Sequence, residues 1–352
     1  MAGAGPDATR LWIGAGLLAD AANRLVSPSG RYLLVTSRGP RTAAERIRTS
    51  LGGRILGDLE IDDREQAKTL DTAAAIADAA LSAGVRRDDA LVAVGGGVVS
   101  DVAGFAAAIV LRGIAWNAVP TTTGAMADAA LGGKTGVDTR HGKNLIGAFH
   151  PPRTVLADPE ALDGLPEREF RAGLVEAVKA AWIADARLAR AAEQSLDSVL
   201  AREEESLLTL LAGAAAVKSR IVGADPREGD RRRLLNFGHT LGHAFEAAGG
   251  FQALKHGEAV AWGIAAAVDI SQRRAGLRDR EAERIRAVLT RLGPFPEPVR
   301  DPAVLLPYLL RDKKANAGGL AGVLLSGIGR GRVEPSIPPE EWLEAAARIS
   351  LA

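Results

Sequence analysis

Three of the chain's five histidines, His239, His243 and His256, fall within eighteen positions. His239 and His243 stand four residues apart in Asn236-Phe237-Gly238-His239-Thr240-Leu241-Gly242-His243, so a helix through them sets both imidazoles on one face. A single helical histidine is usually a satisfied core or surface residue. Three together, each beside glycine and apolar neighbours, point to a metal site. The chain has no cysteine. That removes disulfides and thiolate chemistry and leaves histidine and carboxylate as the available ligands. Glu176, in Gly173-Leu174-Val175-Glu176-Ala177-Val178-Lys179, is an acidic residue on an apolar helix face. A buried carboxylate needs a partner, and a metal ion is one. The plainer reading is a surface ion pair with Lys179, which Leu174, Val175 and Val178 argue against.

A second kind of chemistry is written in Val92-Ala93-Val94-Gly95-Gly96-Gly97-Val98-Val99-Ser100-Asp101, an apolar strand, a glycine turn and the start of a helix. Glycines let the backbone approach a pyrophosphate, and the helix N-terminus offers unpaired N–H groups. A tight strand-to-helix turn without a ligand has the same composition, and the spacing departs from the usual dinucleotide fingerprint. Thr121 and Thr122 follow the next strand-like run, where a dinucleotide would lie, although threonine there also suits helix capping. Asp128, Lys134, Lys143 and Asn144 are polar residues in a glycine-rich, apolar stretch. A lysine in that setting suits an anionic group, and the Gly132-Gly133 pair allows close approach of one.

The elements that must hold these groups follow from the pattern. Between 11 and 158, strand-like runs at 32–36, 59–61, 90–94, 115–119 and 154–157 alternate with helical patterns at 42–51, 64–83 and 98–109. Such alternation predicts a mostly parallel, Rossmann-like α/β sheet. Beyond Leu165-Pro166 the chain turns to helical segments rich in Ala, Leu, Glu and Arg, and strands return only at 323–325. We therefore expect an α/β domain over 1–162 and a mainly α-helical domain over 163–352, with 293–301 and 316–322 as loops inside the second. With 352 residues, 44 Lys and Arg against 43 Asp and Glu and a net charge of +1, two cores are affordable and no basic field for nucleic acid exists. Residues 1–7 lack a basic, apolar leader and the most apolar run, 98–111, is short and interrupted, so the expectation is a cytoplasmic protein without a membrane partner.

Taken together, Gly95–Asp101, Gly132-Gly133-Lys134-Thr135-Gly136, Gly142-Lys143-Asn144-Leu145, Glu176–Lys179 and Asn236–His243 resemble the 3-dehydroquinate synthase family, in order and spacing, from Glu65 to Lys314. The resemblance implies closure of 3-deoxy-D-arabino-heptulosonate 7-phosphate (DAHP) into 3-dehydroquinate with loss of phosphate, using NAD that is reduced and reoxidised within one turnover. It implies Glu176, His239 and His256 as ligands of a divalent metal, zinc or alternatively cobalt. Glu65, Lys68, Gly95, Gly96, Gly97, Val98, Asp101, Thr121, Thr122, Lys134 and Lys143 match positions around the cofactor. Arg112, Lys134, Asn144, Asn236 and one or both of Lys313 and Lys314 match groups around the substrate phosphate; Lys218 and Arg232 match those facing its carboxylate. Asp128 and Lys179 match residues at the ring hydroxyls, and His243 one that relays protons near the phosphate. The Arg112 position further implies a homodimer with sites completed across the interface.

Four positions differ from the family's usual residues: Ser37, Arg64, Ser100 and Gly164. All fall around the expected dinucleotide. Rival readings are a sister sugar phosphate cyclase of the 2-deoxy-scyllo-inosose or 2-epi-5-epi-valiolone synthase type, whose substrate lacks the carboxylate, an alcohol dehydrogenase of similar layout, and a non-catalytic scaffold. Arg232, Leu235 and Asn236 keep the dehydroquinate synthase form, and the full ligand set argues against a scaffold.

Overall fold

The computed structural model describes residues 8–310, 315–316 and 319–351. They divide into two units, Met1–Phe170 with Lys218–Gly223, and Arg171–Val217 with Ala224–Ala352. The first unit runs β1 (Arg10–Ile13), α1 (Ala21–Arg24), β2 (Tyr32–Ser37), α2 (Arg41–Leu51), β3 (Ile55–Ile61), α3 (Leu70–Ser82), β4 (Ala90–Gly95), α4 (Gly97–Ile109), β5 (Ala115–Pro120), β6 (Lys134–Thr139), β7 (Gly142–Phe149) and β8 (Thr154–Ala157). Six strands form a parallel sheet in the order β1-β8-β5-β4-β2-β3. A strand flanked on both sides and covered on both faces needs an unbroken apolar run. YLLVTS and ALVAVG come close to that, and every residue of β2 and β4 is buried.

The order of the sheet decides where a ligand can go. From β2 the chain steps outward to β3, then returns to the other side of β2 with β4 and continues outward through β5. Ligands of open parallel sheets collect beyond the carboxyl ends of the strands at such a reversal. Ser37 ends β2 and Gly95 ends β4, so the glycine turn stands at that crevice.

Two expectations from the pattern need correction, and a stretch that it left unassigned takes a definite form. The helix expected over 64–83 is a 3-10 turn at Glu65–Ala67 followed by α3, because the Thr69 hydroxyl accepts the Thr72 N–H and caps a new start. The glycine-rich stretch around Lys134 and Asn144 is an antiparallel hairpin, β6 with β7. Its glycines allow close pairing: a Cβ on Gly147 would sit 2.2 Å from the Thr135 carbonyl oxygen. Part of the loop expected at 316–322 is strand, since β10 starts at Gly319.

The second unit is carried by α5 (Glu167–Ala184), which begins in the first, and α6 (Ala186–Gln194), α7 (Leu196–Leu200), α8 (Glu204–Ala224), whose residues Lys218–Gly223 belong to the first, α9 (His239–Ala248), α10 (His256–Arg274), α11 (Asp279–Leu292) and α12 (Pro302–Leu310). A small antiparallel sheet of β9 (Ala315–Asn316), β10 (Gly319–Leu325) and β11 (Gly331–Ile337) precedes α13 (Pro339–Arg348). α10 is buried around most of its circumference, as a helix apolar on all sides must be. Among the described residues only α8 is long and apolar enough to cross a membrane by length and composition. Part of its most apolar stretch is buried, as in core helices of globular proteins.

Asn117 locks β5 to the segment before β2. It is fully buried; its amide donates to the Val26 carbonyl at 3.0 Å and its oxygen accepts the Val26 N–H at 2.9 Å. Asn117→Ala strands both groups and should lower stability by about 1–3 kcal/mol. Chemical denaturation measures this, and an unchanged midpoint contradicts it.

Candidate metal centre and active site

Glu176 on α5, His239 at the start of α9 and His256 at the start of α10 bring their ligand atoms within 4.8 Å of one another. Glu176 Oε1 lies 3.5 Å from His256 Nε2 and 3.8 Å from His239 Nε2. Atoms about 2.0–2.2 Å from a tetrahedral ion stand roughly 3.3–3.6 Å apart, so the triad fits one ion with little adjustment. Neither buried Glu176 oxygen has a well-aligned hydrogen-bond donor, although the Lys179 ammonium forms an ion pair with one of them. Glu176 is 5% exposed and His256 47%, so the set is closed on the carboxylate side and open at His256. An ion held by three ligands in such a place keeps positions for another molecule.

Close backbone approach makes the triad. A Cβ on Gly257 would fall 1.8 Å from the Ala172 carbonyl oxygen, so glycine beside His256 lets the N-terminus of α10 rest on α5 one turn before Glu176. A Cβ on Gly263 would fall 1.9 Å from the Gly238 carbonyl oxygen, which lets α10 rest on the start of α9 beside His239. The imidazoles of His239 and His256 are 5.2 Å apart in consequence.

Charge is unevenly shared in the metal-free site. Burial raises the Glu176 pKa, but Lys179 and His256 outweigh it and hold the carboxyl below its usual range. Burial pulls His256 down, yet Glu246 and Glu176 push it up to about 10. An incoming cation therefore displaces a proton from His256. Gly257→Ala should wedge α10 from α5 and weaken Co2+ or Zn2+ binding about 10–100-fold in a chelator competition. Wild-type affinity in that variant contradicts the packing argument.

In the first unit the glycine turn is tight. A Cβ on Gly95 would meet Val99 at 2.5 Å and one on Gly96 would meet Thr122 at 3.1 Å, while Val98 lies in the first turn of α4. Three buried hydroxyls near it, Thr36 and Ser37 at the end of β2 and Ser100 in α4, have no hydrogen-bond partner. A polar ligand at this crevice would satisfy whichever of them face it, Thr36 and Ser37 pointing to opposite sides of the sheet. Thr121 N–H donates to the Gly95 carbonyl, and the Thr122 hydroxyl accepts the Ala125 N–H, so Thr122 is the cap that its residue type allows. Lys68 pairs with Asp101 at 2.6 Å and Lys143 with Glu65 at 2.9 Å. Burial lowers the Lys68 pKa, but Asp101 and Glu65 keep it above the usual lysine value.

Asp128 lies on a single π turn, Ala125–Ala129, and its Oδ1 is 2.7 Å from Lys218 Nζ, which also donates to its carbonyl. π turns inside helices often mark functional positions. Lys134 is exposed at the start of β6. Asn144 has φ +55° in β7 and donates its backbone N–H to Asp138. Exposed Arg112 follows α4 with φ +70°, after Leu111 at +51°. Two successive left-handed non-glycine residues are costly, and such strain collects at working sites.

In the second unit Arg232 is 2% exposed and donates to the Pro226 carbonyl at 2.7 Å. Asn236 donates to Glu228 at 3.2 Å, and the His243 ring is 5.3 Å from His239 and 6.1 Å from His256. Lys179 is buried against Glu176. Lys313 and Lys314 lie outside the described residues. Sequence reasoning missed Asp225, whose carboxyl is held at about 2 by the backbone N–H groups of Arg232, Asp230 and Gly229. It missed Glu228 and Asp138, which bind Asn236 and Asn144, and Glu246, which binds His256. Only Glu246 left a signal: it stands seven residues after His239, on the same helical face.

Comparison with known proteins agrees with this geometry. Residues 58–172 match the family model described as 3-dehydroquinate synthase N-terminal, and 173–315 the one described as 3-dehydroquinate synthase C-terminal. A 3-dehydroquinate synthase of Acidithiobacillus ferrooxidans is 46% identical over 78% of this chain and 76% of its own length. Two solved cyclases share the fold. A 2-epi-5-epi-valiolone synthase of Streptomyces hygroscopicus with NAD+ and Zn2+ bound superposes with a TM-score of 0.87 at 29% identity, over 99% of this chain and 98% of that one. A 2-deoxy-scyllo-inosose synthase complexed with carbaglucose-6-phosphate, NAD+ and Co2+ gives 0.83 at 28%, over 96% and 95%. With both family models in sequence along it, a parallel α/β unit and a helical unit bearing a Glu-His-His triad, the chain is an enzyme belonging to the 3-dehydroquinate synthase family.

Proposed function

We propose that the chain converts DAHP into 3-dehydroquinate and phosphate, with NAD held by the 1–162 domain and a divalent metal, zinc or cobalt, by the 163–352 domain. The observation that carries the reading is the Glu176–His239–His256 triad with one open side, in a chain whose curated relative is a 3-dehydroquinate synthase. Bound NAD supplies a reversible hydride acceptor, and the bound metal supplies a Lewis acid for neighbouring substrate oxygens.

The protein's own groups do the rest by holding charge and conformation. Gly95, Gly96, Gly97 and Val98 present backbone to the cofactor phosphates, with Thr121 and Thr122 beside them and Glu65, Lys68, Asp101, Lys134 and Lys143 around the dinucleotide. Arg112, Lys134, Asn144 and Asn236 neutralise the substrate phosphate, with Lys313 or Lys314 added. Lys218 and Arg232 receive the carboxylate; both are buried, so a counter-charge beside them is felt strongly. Asp128 and Lys179 orient ring hydroxyls, and His243 moves protons near the departing phosphate. A sister cyclase acting on a sugar phosphate without a carboxylate is the second reading, favoured by the two solved neighbours.

The metal-loaded protein with NAD and DAHP should release one phosphate per 3-dehydroquinate, identified by mass spectrometry, and Glu176→Gln should lower kcat on the order of 1,000-fold. Cyclisation of glucose 6-phosphate or sedoheptulose 7-phosphate instead of DAHP would establish the second reading.

We also propose a homodimer in which Arg112 completes the partner's site. Its exposure and strained backbone support this. If so, inactive Arg112→Ala and Glu176→Gln subunits, mixed and reassembled, regain about a quarter of wild-type activity, because each mixed dimer has one intact site. No regain places Arg112 in its own subunit's site.

A further inference from the structure

Glu246 is 3% exposed, and a buried carboxylate needs a fixed partner. One partner is His256: Glu246 Oε2 lies 3.1 Å from Nδ1 of that ring, on the side away from Glu176. His256 therefore stands between two carboxylates, one at each nitrogen. It also belongs to two sets of residues close enough to hold an ion, Glu176–His239–His256 and His243–Glu246–His256. The two sets cannot share one ring nitrogen.

His239 shows which arrangement the fold builds. Its Nδ1 is 3.2 Å from the Phe237 carbonyl, which can only accept, so Nδ1 carries the hydrogen and Nε2 keeps the lone pair facing Glu176. An ionised Glu246 likewise only accepts. We infer that Glu246 is not a metal ligand but the positioning residue for one: it takes the Nδ1–H of His256 and aims Nε2 at the ion held with Glu176 and His239. A carboxylate behind a ligating histidine fixes its tautomer and ring orientation and makes the bound nitrogen a stronger donor. The burial of Glu246 and the 47% exposure of His256 make this useful here, since a half-exposed ring is tied to a buried, fixed group.

The inference rests on the assignment of Glu176, His239 and His256 as ligands, and its test separates the two. In Co2+-loaded protein, Glu246→Ala should weaken Co2+ binding about 10–100-fold and alter the visible absorption of the bound ion, and Glu246→Gln, whose amide oxygen still accepts from Nδ1, should restore most of both. Wild-type affinity and spectrum in Glu246→Ala overturn the inference while leaving the ligand set standing. Wild-type Co2+ binding in Glu176→Ala overturns both. If Glu246→Ala does not fold, nitrogen NMR of histidine-labelled, Zn2+-loaded wild-type protein decides the matter. A proton on His256 Nδ1 with the metal on Nε2 is the expected result; metal on Nδ1 makes Glu246 a ligand and overturns it.

Discussion

A carboxylate taken almost wholly out of water has to be compensated, and Glu176 sets the terms for the second unit. At 5% exposure it is surrounded by a buried ammonium from its own helix and by imidazoles from two others. None of these alone makes a good permanent partner for both oxygens, and neither oxygen has an aligned donor. A buried carboxylate whose oxygens lack aligned donors, with two imidazole nitrogens facing it, is a binding site for a cation. The glycines at 257 and 263 exist, in this sense, for Glu176. They allow three helices to come close enough that histidines from separate helices reach one carboxylate.

The same logic in reverse governs the first unit, where the missing partner is a ligand with acceptors and donors of its own. The parallel sheet puts the ends of β2 and β4 side by side, and the hydroxyls left unsatisfied there belong to those strands and to the helix that follows. Two of them, Ser37 and Ser100, are departures from the family's usual residues. Gly164 has a local cause: φ is +77°, which favours glycine over the usual threonine. Arg64 is exposed and pairs with Asp62, so it answers to its neighbour.

Much of this was legible before any coordinates, and what was legible shares a cause. The buried strands, the glycine turn and the helical spacing of His239 and His243 are local patterns, each complete within a dozen residues. The sheet followed from them, and so did a histidine metal site; that His256 rather than His243 completes the ligand set with Glu176 and His239 was implied only by the family resemblance. The β6–β7 hairpin was not legible, because its glycines serve cross-strand approach and read as loop composition. Glu228, Asp138 and Asp225 were invisible for another reason: their work is to hold other residues, through bonds that depend on turns and positive φ. Ligands announce themselves by type; the groups that orient them do not.

That difference bears on what separates members of one fold. The solved cyclases share the fold at 28–29% identity. An ion site and a dinucleotide crevice of this kind are common requirements for any enzyme that oxidises and closes a sugar phosphate. Discrimination has to come from groups that meet one substrate and not another. In the proposed function those groups are Lys218 and Arg232. Both are buried cations, one engaged with Asp128 and the other with a backbone carbonyl. On that proposal a substrate carboxylate would add a counter-charge beside them, and a substrate without one would leave them with the partners they have. Selectivity of this sort acts by withholding stabilisation from the wrong substrate, and it needs no change in the residues that carry the reaction.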